Sequence, residues 1–379
     1  MNILVDTRHL NEPQPSGIGE YTIQLLTALF KIDHENSYTL ITVGLRRPDL
    51  SGLISDHPRV VHRHRTLPGK LINASLALFG QPTLEEIAGV KSDLIFLPNL
   101  NFVALPPGRP TVLTLHDLSF AHFPQFYSGR MRLWHRLVKP PQLVARAQHL
   151  ICPSQSTRQD LNRLYRKAQS QIAVIPHGCG PEFTPAPSPR DQDLVKQYDL
   201  PSRFALFLGT LEPRKNLFAL IRGLREYRSQ AGDDLHLVLA GHRGWKSADF
   251  QKMIREPEYQ SWIHYLNYVP GADRPGLMRL AQVFLWPSIY EGFGLPVLEA
   301  MACGLPVITS HTSSLPEITQ GAAILIDPYN SRDLARALTE LFASPGLPQK
   351  LSQAGLIRAH HYSWEQAARQ TLSLFQKNA

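Results

Sequence analysis

Short, nearly continuous apolar runs punctuate the chain from its start. Asn2–Asp6, Tyr38–Val43, Val60–His62, Leu94–Leu97, Thr111–Leu115, His149–Cys152 and Ile172–Ile175 form a first series. Phe204–Leu208, Leu235–Ala240, Ile263–Leu266, Val283–Trp286, Pro306–Ser310 and Ala322–Asp327 form a second. Runs of this kind are the form strands take when a parallel sheet is covered on both faces. Between them, apolar residues recur at helical spacing, as at Tyr21, Leu25, Leu26, Leu29 and Phe30. Helices are expected from Ser154 to Tyr165, over Ser331–Ala343 and Gln349–His360, and from Ser363 through Phe375. This alternation predicts an α/β protein built from two doubly wound parallel sheets. A proline-rich stretch, Thr184-Pro-Ala-Pro-Ser-Pro189, separates the two series and reads as a linker. Domains are therefore expected at residues 1–182 and 183–362.

Composition narrows the class. The 379 residues are 43% hydrophobic and 18% charged, which places the chain among globular rather than disordered proteins. Cys152, Cys179 and Cys303 have neither metal-ligand nor CxxC spacing, so a reducing, cytoplasmic setting is expected. The first residues lack the pattern of a signal peptide, and no apolar run is long enough for a membrane span. The net charge of +8, from 39 basic and 31 acidic residues, points to an acidic partner. Zinc-finger spacing and RNP-like aromatic motifs are absent, so nucleic acid is not expected. Phosphorylated small molecules and an anionic membrane surface fit the charge. The stretch Phe120–Leu137 mixes aromatic and basic residues, including Phe123, Phe126, Arg130, Arg132, Trp134 and Arg136. That composition suits a membrane interface, and equally an amphipathic helix packed on its own domain.

Candidate chemistry gathers at the carboxyl ends of the expected strands, where open α/β sheets bind ligands. After Val283–Trp286, Glu291 lies in a glycine-broken loop and Glu299 in the helix that follows. Two such carboxylates suit paired hydroxyls, as in a sugar or ribose. Gly292 and Gly294 permit close backbone approach, and the helix start at Gly294 and Leu295 favours an anion. Spacing alone leaves a second reading open, a capped helix with a solvated Glu299. After Phe204–Leu208, Arg214 and Lys215 stand near the start of a helix, where two cations oppose the helix dipole. Their geometry suits a diphosphate. Gly17 and Gly19 lie where a loop enters the first helix, and His116 just beyond Thr111–Leu115. Asp191-Gln-Asp193 sits beside the linker and reads as a solvated helix start rather than a metal motif.

The run Glu291-Gly-Phe-Gly-Leu-Pro-Val-Leu-Glu299-Ala-Met-Ala-Cys-Gly304-Leu-Pro-Val resembles the signature of retaining GT-B glycosyltransferases of family 4. Glu212-Pro-Arg-Lys-Asn216 is similar to the family's diphosphate motif, Ser16-Gly-Ile-Gly-Glu-Tyr-Thr22 to its N-terminal loop, and Leu113-Thr-Leu-His-Asp-Leu118 to its histidine block. The resemblance implies two Rossmann-like domains facing a cleft, with the terminal helix 363–379 crossing back to the first. It implies a nucleotide diphosphate sugar as donor and a glycan or lipid-linked hydroxyl as acceptor, with retained anomeric configuration and no metal or other cofactor. Arg214 and Lys215 would stabilise the leaving diphosphate, Glu299 would hold ribose, and Glu291 and His116 would contact the donor sugar. Backbone donors at Gly17, Gly19, Gly294 and Leu295 would add to phosphate binding. The forms Ser-Gly-Ile-Gly-Glu-Tyr-Thr and His-Asp-Leu-Ser-Phe-Ala-His-Phe-Pro resemble bacterial mannosyltransferases of polysaccharide assembly, which makes GDP-mannose the first donor to expect. UDP-glucose, UDP-GlcNAc and dTDP-rhamnose stay open, as do a sugar-nucleotide epimerase, a phosphorylase and a non-catalytic sugar-nucleotide binder. Peripheral association with an anionic membrane is a further expectation.

Overall fold

The computed structural model describes residues 1–11, 16–54 and 57–377. The chain divides into two compact units. The first comprises Met1–Leu118, Gly129–Gly178 and the segment that opens at Ser363; the second comprises Ser119–Ser128 and Cys179–Tyr362.

The first unit is built on a seven-stranded parallel sheet: β1 (Asn2–Asp6), β2 (Ser37–Val43), β3 (Val60–Arg65), β4 (Leu94–Leu97), β5 (Thr111–Thr114), β6 (His149–Cys152) and β7 (Ile172–Val174), ordered β3-β2-β1-β4-β5-β6-β7. The chain first winds outward from β1 and then restarts at β4, so the switch point lies between these two strands. Ile3, Leu4 and Val5 of β1 are fully buried, as their unbroken apolar run requires. The helix Gly17–Ile32 covers one face with Leu25, Leu26 and Leu29. Beside it packs the terminal helix Trp364–Gln376, whose Phe375 meets Phe96 of β4 edge-on at 5.2 Å.

The second unit repeats the plan with six parallel strands: β8 (Phe204–Leu208), β9 (His236–Ala240), β10 (Ile263–Asn267), β11 (Val283–Trp286), β12 (Val307–Ser310) and β13 (Ile324–Ile326), ordered β10-β9-β8-β11-β12-β13. Its switch point lies between β8 and β11. Gly241, at the end of β9, has φ of +143°, and a Cβ there would fall 2.1 Å from the Gly209 carbonyl oxygen. Only glycine lets the loops after β8 and β9 lie this close.

Several expectations change. The chain between Ser188 and Asp193 is not solvated throughout. Asp191 is buried in a capping box with Ser188 and forms an ion pair with Arg279 at 2.7 Å. The interfacial stretch is divided between the units. His122 and Phe123 pack on Tyr290, Tyr127 stacks on Trp245 at 5.7 Å, and Trp245 Nε1 donates to the Phe126 carbonyl at 2.7 Å, all within the second unit. Arg130, Arg132 and Arg136 stand exposed on the helix Gly129–Val138 of the first. The helix Gly69–Phe79 had no clear periodicity, because Leu71, Leu78 and Phe79 all face outward.

Candidate active site

In the second unit the loops after β8 and β11 meet at the switch point. The first makes a 3₁₀ turn over Pro213–Lys215, so Arg214 and Lys215 precede the helix Leu217–Ala231 rather than opening it. Asn216, at φ of +59°, turns the chain into that helix. Its side-chain amide donates to the Pro328 carbonyl at 2.6 Å, which holds a left-handed conformation that asparagine tolerates. The second loop is pinned to the first, since the Ile289 amide donates to the Arg214 carbonyl at 2.9 Å.

Side chains at this junction form a closed charge network. Arg214 Nη1 donates to Glu291 Oε2 at 2.7 Å and to the Tyr290 carbonyl at 2.8 Å, while Nη2 donates to Glu212 Oε1 at 2.7 Å. Lys215 Nζ donates to the other Glu291 oxygen at 2.6 Å and lies 4.2 Å above the Trp286 ring. Ser288 Oγ adds a third donor to Glu291, at 2.5 Å. Backbone contacts fix the carboxylate's position. The Glu291 amide donates to Ser313 Oγ at 2.8 Å, and Ser314 Oγ donates to the Glu291 and Phe293 carbonyls, both at 2.9 Å. Burial by itself would raise the Glu291 carboxyl, but Arg214, Lys215 and Ser288 outweigh it and bring it down to about 2. Burial and the adjacent Arg214 pull Lys215 below its ordinary value, against the pull of Glu291 and Glu212. Two cations and two carboxylates thus balance within one cluster, in which Arg214 is partly buried and the other three are buried.

The loop ends at Gly294, with φ of +103°, where a Cβ would come 2.8 Å from the Leu315 side chain. Gly294 caps the helix Leu295–Ala302, which has Pro296 in its first turn. That turn leaves amides without helical partners, the ordinary setting for an anion. Glu299, within this helix, is buried rather than solvated, and its Oε1 lies 3.8 Å from Arg274 Nη1. Gly304 follows Cys303 with φ of +71° and provides the left-handed exit.

The candidates in the first unit lie in two places. Gly17 and Gly19 are in the first turn of the helix Gly17–Ile32, not in a loop before it. Ser16 caps that helix by accepting from the Gly19 amide at 3.3 Å. Residues 12–15 of the expected loop lie outside the described residues. His116 follows β5, with its Nε2 donating to the Pro98 carbonyl at 2.8 Å. That bond leaves Nδ1 as an acceptor. Tyr21 meets the His116 ring edge-on at 4.5 Å, His177 lies 5.6 Å away, and Trp364 stacks on His177 at 5.9 Å. Burial brings His116 down to about 4, against the pull of the Pro98 carbonyl and Asp117, so the imidazole is neutral at pH 7.

Some members of these clusters had no local signal in the chain. Glu212 and Ser288 join the charge network through neighbours in their own loops, Arg214 and Glu291, and the Tyr290 carbonyl reaches Arg214 through the meeting of two loops distant in sequence. His177 and Trp364 reach Tyr21 across more than a hundred residues of chain, a placement that strand order and the packing of the first and terminal helices decide.

Comparison with known proteins agrees with this architecture. Residues 15–183 match the family described as Glycosyltransferase Family 4, and residues 192–358 match Glycosyl transferases group 1. The chain is 27% identical over 387 residues to the O-antigen chain mannosyltransferase B of Escherichia coli, covering 99% of each. Among solved structures, sucrose-phosphate synthase from Thermosynechococcus elongatus superposes with a TM-score of 0.76 at 20% identity, covering 99% of this chain and 98% of that one. Anabaena HepE in complex with UDP and glucose superposes with a TM-score of 0.71 at 19% identity, covering 99% of both chains. Two parallel-sheet units, the two family matches and these neighbours together show that the chain belongs to the group 1, family 4 glycosyltransferases and has the GT-B fold.

Proposed function

We propose that this glycosyltransferase moves a sugar, first of all mannose from GDP-mannose, to a hydroxyl of a glycan or lipid-linked acceptor in polysaccharide assembly, with retention of configuration. The observation that carries the reading is the Arg214–Lys215 pair at the β8/β11 switch point, with Lys215 buried, Arg214 partly buried and both held on Glu291. Two fixed cations at a strand's carboxyl end suit a diphosphate that gains charge as it leaves. The name of the E. coli relative supports mannose and O-antigen assembly, and the UDP and glucose held by HepE support a nucleotide sugar as donor.

In this reading Arg214 and Lys215 bind the diphosphate, with the amides at Gly294 and Leu295 beside them. Glu291 holds both cations in register and orients the donor sugar through its hydroxyls. Glu299 takes the ribose hydroxyls. On the first unit, His116 accepts a sugar hydroxyl through Nδ1, and Gly17 and Gly19 supply backbone donors to phosphate. A neutral His116 places no positive charge against an oxocarbenium-like state. No protein base is assigned; the departing phosphate takes the acceptor proton.

A panel of sugar nucleotides, scored by thermal shift and by transfer to mannose-terminated acceptors, tests the donor. GDP-mannose should give the largest shift and the highest turnover; a clear preference for a UDP or dTDP sugar overturns mannose. Arg214→Ala or Lys215→Ala should lower kcat by about 10²–10³, the usual loss for one charge-stabilising donor. Near-normal transfer by both variants refutes the leaving-group role. Retention is read from the anomeric configuration of the product by NMR. We extend the reading to peripheral contact with an anionic membrane, on the exposed Arg130, Arg132 and Arg136 beside exposed Leu133 and Leu137. Failure to bind anionic vesicles at low salt would remove that extension.

A further inference from the structure

We propose that Trp286 is a positioning residue for transfer: its ring face holds the Lys215 ammonium where it meets the leaving diphosphate. The proposal rests on the leaving-group role given to Lys215 above, and it names the group that keeps that cation in place.

The contact begins in the sheet. Trp286 ends β11 and is buried, stacked on Phe207 of β8 at 4.9 Å and on Phe284 of its own strand at 5.7 Å, each at 17°. The far edge of the indole takes the place of a side chain at residue 209. A Cβ on Gly209 would fall 2.7 Å from Trp286 Cη2, so the glycine after β8 makes room for the ring. Lys215 Nζ lies 4.2 Å from the ring centre, within the roughly 6 Å of a cation–π contact. Both partners are buried, which is where such a contact is strongest.

Packing by itself does not account for tryptophan at this position. Trp286 Nε1 is buried with no hydrogen-bond partner among the described residues. A buried indole N–H usually finds one, and leaving it unpaired is costly. Phenylalanine, present on either side as Phe207 and Phe284, would supply apolar volume without that cost. What the indole adds is the aromatic face that binds cations best, and a cation stands over it. The ammonium needs such a hold. It sits on a flexible four-carbon stem, and Arg214 beside it disfavours its charge. Of its three N–H donors, one goes to Glu291 Oε1 at 2.6 Å. A ring face restrains the charge without acting as a conventional acceptor, so N–H donors are kept for phosphate oxygens.

The test uses the full chain and places mono-, di- and trifluorotryptophan at position 286 by nonsense suppression. Fluorine drains charge from the ring face and barely changes its shape, so the fold is kept. With GDP-mannose, or the donor that displaces it in the panel above, kcat/KM should fall stepwise with each fluorine. The whole series should span about tenfold, the scale of one desolvated cation–π contact. The residual activity of Lys215→Met should not respond to the fluorines. Urea unfolding without nucleotide reads the same coupling, and each fluorine should lower the midpoint of the unaltered chain more than that of Lys215→Met. The proposal is overturned if kcat/KM ignores fluorination, if it falls equally in Lys215→Met, or if unfolding shows no coupling. Near-normal transfer by Lys215→Met sinks the leaving-group reading and takes the positioning role with it. The two failures are told apart by the unfolding coupling, which reports the contact whatever the donor.

Discussion

Replacing Glu291 with glutamine separates the two parts its carboxylate plays. The substitution keeps the shape of the side chain and removes one charge from a cluster in which Arg214 and Lys215 lie 2.7 and 2.6 Å from its oxygens. The Glu291 carboxyl sits at about 2 rather than its ordinary 4.5, and a drop of this size corresponds to roughly 3 kcal/mol in favour of the charged folded state. Breaking a buried ion pair from one side gives a similar figure, about 3–5 kcal/mol. For a chain segment of this size, about 3 kcal/mol lowers Tm by roughly 6–12 °C. The sign with pH follows from the depressed carboxyl. Its contribution is complete above about 4.5 and is lost as pH falls towards 2, so the wild type has a steeper acid limb than Glu291→Gln. A nucleoside diphosphate returns negative charge to the stranded cations. GDP should therefore raise the Tm of Glu291→Gln more than that of the wild type, while kcat falls because the donor sugar loses its carboxylate. Scanning fluorimetry from pH 3 to 8, with and without GDP, and steady-state transfer read all three effects. An unchanged Tm together with unchanged kcat would refute both the electrostatic and the catalytic reasoning.

Three further outcomes follow from other parts of the fold. His116 is held at about 4 against an ordinary 6.5, so the folded state resists its protonation and stability falls as pH drops from 6.5 towards 4. His116→Asn should flatten that segment of a pH–Tm curve, and transfer by this variant should fall at every pH. Gly241→Ala must take φ of +143° and a Cβ 2.1 Å from the Gly209 oxygen, so it should destabilise the second unit by more than about 2 kcal/mol in urea titration and displace the Arg214 loop. Phe375→Ala empties a fully buried site against Phe96, and a loss of about 3–5 kcal/mol should appear in the unfolding of the first unit with nucleotide binding retained.

Much of the architecture is legible along the chain, because a strand buried on both faces must be apolar throughout. Val283–Trp286, Phe204–Leu208, His149–Cys152 and Leu94–Leu97 are strands with the bounds read from their apolar runs, and Ser331–Ala343 is the helix its periodicity predicts. The helix Gly69–Phe79 was not legible, since it exposes apolar residues instead of burying a stripe. Chemically distinctive types at strand ends likewise mark Arg214, Lys215, Glu291 and Glu299 as candidates. Their mutual arrangement had no such mark. Glu299, for which spacing leaves a solvated reading open, and Asp191, expected in a solvated helix start, are both buried, each beside an arginine well separated in sequence.

Local pattern thus determines which segments form strands and helices, since each answers to its own burial and backbone preferences. Partner choice belongs to the folded chain. Glu291 meets Arg214 and Lys215 because β8 and β11 are neighbours in the sheet, across roughly seventy-five intervening residues. Arg8 and Asn11 line one cavity with Trp134 for the same kind of reason, because the loops after β1 and β4 and two helices converge there. Strand order is fixed by the packing of whole elements, and no short window of residues carries that information.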